Sequence, residues 1–178
     1  MRKVKLLFTS FYLGLLFIFL LATSITAQEQ SSYVFFYPVV AGKTEGDKLY
    51  TLKLIRDRLI VLFTFGDEKK SEANLKIATK RLLEAEKLFK TNKTHLTQKT
   101  LSKFTSKLAA AYDYAMKAKE SESFPELLDQ ISRNTPKYQI VLKQMLAISP
   151  ENEKDLVEES IERVTEIQTK VNQQLKAE

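Results

Sequence analysis

Leu75-Lys-Ile-Ala-Thr-Lys-Arg-Leu-Leu-Glu-Ala-Glu-Lys-Leu-Phe89 decides the fold of this chain. Its apolar positions Leu75, Ala78, Leu82, Ala85 and Phe89 recur at spacings of three, four, three and four, so they fall on one side of an α-helix, with lysines and glutamates on the other. The same rhythm returns from Thr94 to Glu120, where Leu101, Phe104, Leu108, Ala111, Ala115 and Ala118 form a second stripe. Stripes of this kind pack neighbouring helices side by side, and the alanines let the axes approach closely.

Working outward, Pro125 suits the first turn of a further helix whose inward positions include Leu128, Ile131, Tyr138, Leu142 and Met145. Pro136 lies within it and removes one backbone bond, which predicts a kink or a break near Asn134-Thr135. Ser149-Pro150-Glu151 starts a last helix with Val157, Ile161, Val164, Val171 and Leu175 on one face. On its wet side Glu159 with Arg163 and Glu166 with Lys170 make favourable pairs one turn apart, each contributing ~0.3 kcal/mol.

Before the deciding stretch, Lys48 to Phe65 carries Leu49, Leu52, Ile55, Leu59 and Leu62 at helical spacing, and its last two turns are apolar almost all round. The expectation is a helix capped by Asp47 whose end is buried. Gly66 closes it and Asp67 caps the next, giving a helical hairpin. Tyr33 to Val40, broken by Pro38, reads as an extended arm packed on the domain. The fold class is therefore all-α: an antiparallel bundle of about five amphipathic helices. It is divided into residues 1–27, an arm and linker over 28–46, and the bundle over 47–178.

Residues 1–27 have the order of an export signal. Arg2, Lys3 and Lys5 precede an apolar run from Leu6 to Ala22, and Thr23 to Ala27 are small or polar. Cleavage after Ala27 places Ile25 and Ala27 at the recognition positions, and cleavage after Ser24 places Ala22 and Ser24 there. The run is long for a signal core and just reaches spanning length, so an uncleaved membrane anchor is the rival reading. Either one sends the remainder out of the cytoplasm, because the bases stay inside. The localisation expected is extracytoplasmic, membrane-anchored or secreted.

Composition narrows the function. The chain has 178 residues, a formal charge of +6 and no cysteine. Three of the 28 bases precede the apolar run without an accompanying acid, so the remainder stands at +3. That mixed surface lacks the single-sign patch expected of a nucleic-acid binder. The aromatic and basic stretch Phe104, Tyr112 and Tyr114 with Lys103, Lys107 and Lys117 reads as helical core aromatics rather than a stacking platform. Without cysteine, disulfides and Cys-ligated zinc are excluded.

Catalysis requires a nucleophile, a tuned acid or base, or a metal. His95, the one histidine, stands at a helix start and reads as exposed. No nucleophile elbow, phosphate-binding loop, His-Glu-x-x-His or EF-hand pattern occurs. No Glu stands three residues before His95, so the paired ligands of carboxylate-bridged metal bundles are missing, and Glu158, Glu159, Glu162 and Glu166 read as a solvated face. Accordingly no catalytic, cofactor-binding or metal-ligating residue is assigned, and the expectation is a protein that is not an enzyme.

Several stretches carry a family resemblance. They are Tyr33 to Pro38, Gly46-Asp-Lys-Leu-Tyr-Thr-Leu-Lys53, Ile55-Arg-Asp-Arg-Leu59 and Ala78-Thr-Lys-Arg-Leu82, together with Pro136-Lys-Tyr-Gln-Ile-Val-Leu142. In this order the chain resembles the domain of unknown function 5667 family of uncharacterised bacterial envelope proteins. The order there is a signal or anchor, an aromatic-proline arm, an L-Y-x-x-K helix, an acidic turn and a helix with A-x-x-R-L. In that family a His often stands at the place of Tyr138, and proline is common where Gly66 and Lys48 stand here. The resemblance spans about Tyr33 to Leu175 and implies fold and address, with no activity and no catalytic residue. The function expected is a structural or protein-interaction role in the bacterial cell envelope, with a protein partner there and the membrane engaged through the N-terminal segment. The alternative is a small extracytoplasmic helical chaperone or stress sensor.

Overall fold

The computed structural model describes residues 32–177, apart from the side chains of Tyr33 and Asn152. The signal or anchor expected over residues 1–27 lies outside the described residues. Ser32–Glu178 forms one compact unit. It consists of α1 (Ser32–Phe36), α2 (Tyr50–Leu62), α3 (Asp67–Lys90), α4 (Thr94–Lys117), α5 (Phe124–Ala147), a 3-10 turn (Glu151–Glu153) and α6 (Lys154–Ala177). Among the described residues no strand occurs, and no helix is long and apolar enough to cross a membrane.

The all-α bundle read from the sequence is the observed fold. Helices α3 to α6 are its body, and the short connections between successive members return the chain antiparallel. Local chemistry sets their ends. Asp67 and Glu68 lie in the first turn of α3 and Lys87 and Lys90 in its last, complementing the helix dipole. Asn92, left-handed at φ 54°, then stops α3. The Asn92 N–H donates to the Phe89 carbonyl at 2.9 Å and the Lys93 N–H to the Leu88 carbonyl at 3.1 Å, the two bonds of a Schellman cap.

The stripes face inward as expected. Leu75, Ala78, Leu82 and Ala85 of α3 meet Leu101, Phe104, Leu108, Ala111 and Ala115 of α4, with Leu128, Ile131, Leu142 and Met145 of α5 and Val157, Val164 and Val171 of α6. Ile167, outside the expected stripe of α6, is buried as well, whereas Leu175 in its last turn is exposed. Tyr138 is the hub of this core. Phe36 stacks on its ring and Phe104 meets it edge-on, both with centroids 5.3 Å away. Its buried hydroxyl shares a 2.6 Å hydrogen bond with Thr79 Oγ1, which satisfies the one polar atom the ring carries inside.

Several details differ from the sequence reading. The arm is not extended throughout: Ser32–Phe36 is one helical turn, followed by a cis Tyr37–Pro38 peptide. Phe36 enters the core from that turn. Helix α5 does not break at Pro136 but runs through it. The Ser132 carbonyl, which a proline nitrogen cannot serve, instead accepts from Thr135 Oγ1 at 3.3 Å. Asp47 does not cap a helix; its carboxylate accepts from the Thr44 N–H at 2.6 Å and closes the turn before α2. Arg163 pairs with Glu166, which also holds Lys170 at 2.7 Å.

The largest difference is the orientation of α2. Its end was expected to be buried, yet Leu59, Ile60, Leu62, Phe63 and Phe65 are exposed by 43%, 46%, 70%, 67% and 84%. Leu52 and Ile55 are exposed beside them. What α2 buries instead is Tyr50 and Asp57.

Candidate functional site

Helix α2 is inverted relative to water: its polar stripe faces the protein and its apolar stripe faces out. Tyr50, Lys53 and Asp57 recur at spacings of three and four, so they share the face turned to α3. The residues awaiting them on α3 are Arg81 and Glu84, one turn apart and buried. The Arg81 guanidinium holds Glu84 by two bonds, 2.8 and 2.6 Å from its two oxygens. Its other terminal nitrogen bonds Asp57. Lys53 Nζ reaches Glu84 and also donates to the carbonyls of Ala41 and Lys43 at 2.9 and 2.8 Å, tying in the loop before α2.

Tyr50 lies in the middle of this seam. Its hydroxyl donates to Glu84 at 3.3 Å, and Lys103 Nζ and the Arg81 guanidinium stand over its ring at 5.0 and 5.5 Å. Burial raises the Tyr50 hydroxyl well above the ordinary tyrosine value. At the edge, Glu45 bonds Lys103 and pairs with Lys99 at 2.9 Å. Burial pushes the Glu45 carboxyl up, but the bonds to these two lysines outweigh it and hold it below the usual range. Arg81 is likewise opposed by burial and raised on balance by Glu84.

In the seam two buried carboxylates, Asp57 and Glu84, face three cations, Lys53, Arg56 and Arg81, and each carboxylate bonds more than one donor. Among the described residues no buried side-chain polar atom lacks a partner. Such a set fastens α2 and the preceding loop to the bundle by charge. An open cleft of about 350 Å3 adjoins it, with Arg58, Lys103 and Lys107 on its walls and Leu54 and Ile77 at its apolar side. Burial, together with the neighbouring Arg81 and Arg58, lowers the Lys107 ammonium; its Nζ donates to Asn74 at 3.1 Å.

The outer side of α2 is the other half of the site. Leu52, Ile55, Leu59, Leu62 and Phe63 make a continuous ridge along it. Arg56 and Arg58 flank the ridge by helical position, both exposed. Phe65 extends it into the turn. Gly66, at φ 87°, makes that turn possible, and a Cβ there would come within 3.0 Å of Glu68 Oε2.

The residues weighed from the sequence lie elsewhere. His95 is exposed in the first turn of α4. Glu158, Glu159, Glu162 and Glu166 line the solvated face of α6. Among the described residues no group of three potential metal ligands comes together. The aromatic stretch divides: Phe104 is core, whereas Tyr114 lies between Lys70 and Lys117, at 5.5 and 4.9 Å from its ring. The seam of Tyr50, Lys53, Asp57, Arg81 and Glu84 was not anticipated. The signal for it was present in the three-four spacing of Tyr50, Lys53 and Asp57, opposite an apolar stripe of the same period.

The residues that carried the family resemblance meet in this seam: Tyr50 and Lys53 come from one stretch, Asp57 from the next and Arg81 from the third. Residues 42–174 match the model of a family described as Domain of unknown function (DUF5667). No curated protein and no solved structure matches the chain.

Proposed function

The chain belongs to the DUF5667 family, and from the inverted polarity of α2 we propose that it is a non-enzymatic domain of the bacterial cell envelope that works by contact. In this reading it is exported, stays anchored to or is released from the outer face of the membrane, and serves a structural or protein-interaction role. The observation that carries the reading is the apolar ridge of α2. A monomeric soluble domain rarely leaves a continuous apolar strip of this kind in water, and such strips mark places where something else docks. The seam beneath supports the same reading, since its charges hold the ridge outward.

The order of bases, apolar run and small residues over 1–27 supports the address. A fusion of the full chain to a reporter active only outside the cytoplasm is expected to be active, and removal of residues 1–27 to silence it. Reporter activity confined to the cytoplasm overturns the address. Crosslinking in the native envelope from positions on the bundle is then expected to capture a protein partner. The exposed ridge also suits a small extracytoplasmic chaperone, which would suppress aggregation of many unfolded clients rather than return one partner.

A further inference from the structure

We propose that the outer ridge of α2 docks on a lipid bilayer surface carrying anionic headgroups, lying in the plane of the interface. The proposal rests on the reading that the domain sits at a membrane face, and it names what covers α2 there.

Three observations select this occupant. The ridge is apolar and convex: Leu52, Ile55, Leu59, Leu62 and Phe63 stand out from one helix, and Phe65 continues the line. A bilayer accepts a projecting ridge anywhere along its surface, whereas a protein partner must supply a matching groove. Charge is the second observation. Arg56 and Arg58 border the ridge on either side, and Lys48 precedes it. The only acid of α2, Asp57, is 3% exposed and bonds Arg81 and, at 2.8 Å, Arg56, so Arg58 and Lys48 are the flanking cations without an acid of α2 on them. Apolar side chains with flanking cations are the pattern of helices that lie in a headgroup region, where the cations reach the phosphates while the apolar face enters the acyl boundary. The same pattern disfavours a second copy, because two such ridges placed together bring Arg58 and Lys48 against their own kind with no exposed acid of α2 to meet them.

Length and position supply the third observation. At a rise of 1.5 Å per residue, the 13 residues of α2 extend about 20 Å, short of the ~30 Å hydrocarbon core, so the helix can lie on a bilayer but not cross it. The apolar run Leu6 to Ala22 lies upstream in the same chain and, as an anchor, would tether the chain to a membrane. Docking would also resolve the polarity of the helix, with its charged face on protein and its apolar face on lipid.

The chain has no cysteine, so a single introduced thiol reports one position. Leu59→Cys, Phe63→Cys and, as a control on the solvated face of α6, Glu162→Cys would each carry an environment-sensitive fluorophore. The full chain would be reconstituted in phosphatidylcholine vesicles with or without phosphatidylglycerol, some containing nitroxide-labelled acyl chains. The expected result is several-fold stronger nitroxide quenching at 59 and 63 than at 162. Quenching should weaken without phosphatidylglycerol or in an Arg58→Glu background whose circular dichroism and melting are unchanged.

Quenching at 59 and 63 no greater than at 162 overturns the proposal. So does shielding of these labels that grows with protein density and is indifferent to nitroxide lipid, which would assign the ridge to a protein contact. The export reporter is a separate readout. Export with an unquenched ridge removes lipid docking alone, whereas quenching without export retains docking and removes the address.

Discussion

Arg81 is the side chain on which the seam depends. It is 2% exposed and its guanidinium is shared between Asp57 and Glu84, so removing it leaves two buried carboxylates, Glu84 with Lys53 and Asp57 with the largely exposed Arg56. Breaking a buried ion pair from one side costs about 3–5 kcal/mol, because the remaining charge stays desolvated. Arg81→Leu is therefore expected to lower the denaturation midpoint by an amount of that order, whereas Glu162→Ala, on the wet side of α6, should change stability by less than about 0.5 kcal/mol. Equal midpoints would show that the seam contributes nothing to the fold. Glu45 adds a pH dependence of known sign. Lys103 and Lys99 hold its folded-state value below the ordinary 4.5, so its contribution is present above that value and fades as the pH falls through the lower folded one. Wild type should thus lose more stability than Glu45→Gln on acidification through this window, and parallel pH profiles in calorimetry would refute the assignment.

At the scale of the element, α2 and α3 show how far a periodic pattern can be read. Both carry apolar residues at three-four spacing. In α3 that stripe is the core face, and the opposite side offers Lys76 and Lys87 to solvent. In α2 the opposite side is also periodic, and its Tyr50, Lys53 and Asp57 find buried partners on α3 that no local rule reveals. Apolar periodicity shows that a helix has two unlike sides, but it does not show which one meets the protein. The α2 half of the seam was legible in that spacing, but its partners were not: pairing of Asp57 with Arg81 is a tertiary fact, visible only once the two helices are side by side. The contrast makes a direct test. Leu82→Asp, at a fully buried position of α3, places an unpaired charge in the core and should cost several kcal/mol. Leu59→Asp, at an exposed position of α2, should leave the midpoint of the domain within about 0.5 kcal/mol of wild type. If Leu59→Asp destabilises as Leu82→Asp does, the end of α2 is buried after all.

Across the whole molecule, two kinds of adhesion hold the described residues together. The four long helices share an apolar core centred on Tyr138 and Phe104, and their stripes, order and approximate ends were legible because each stripe had one possible use. The loop before α2 packs Val39 and Ala41 against the core, but α2 itself is held mainly by ions: none of its large side chains joins the common apolar cluster. Local stability follows buried apolar contact, so segments that lack it open at lower free energy than the core. Native-state hydrogen exchange should accordingly resolve two classes of amide. Those of Lys53 to Leu62 in α2 should exchange through a sub-global opening, well below the free energy that protects the centres of α3, α4 and α5. Because that opening separates Asp57 and Lys53 from Arg81 and Glu84, Arg81→Leu should speed exchange in α2 to a greater degree than in α4. Leu82→Asp should instead lower protection throughout the bundle. Uniform protection across α2 and α4 in the wild-type protein, or an Arg81→Leu effect spread evenly over all helices, would mean that α2 is an integral part of one cooperative core and that its polar seam is not a separable joint.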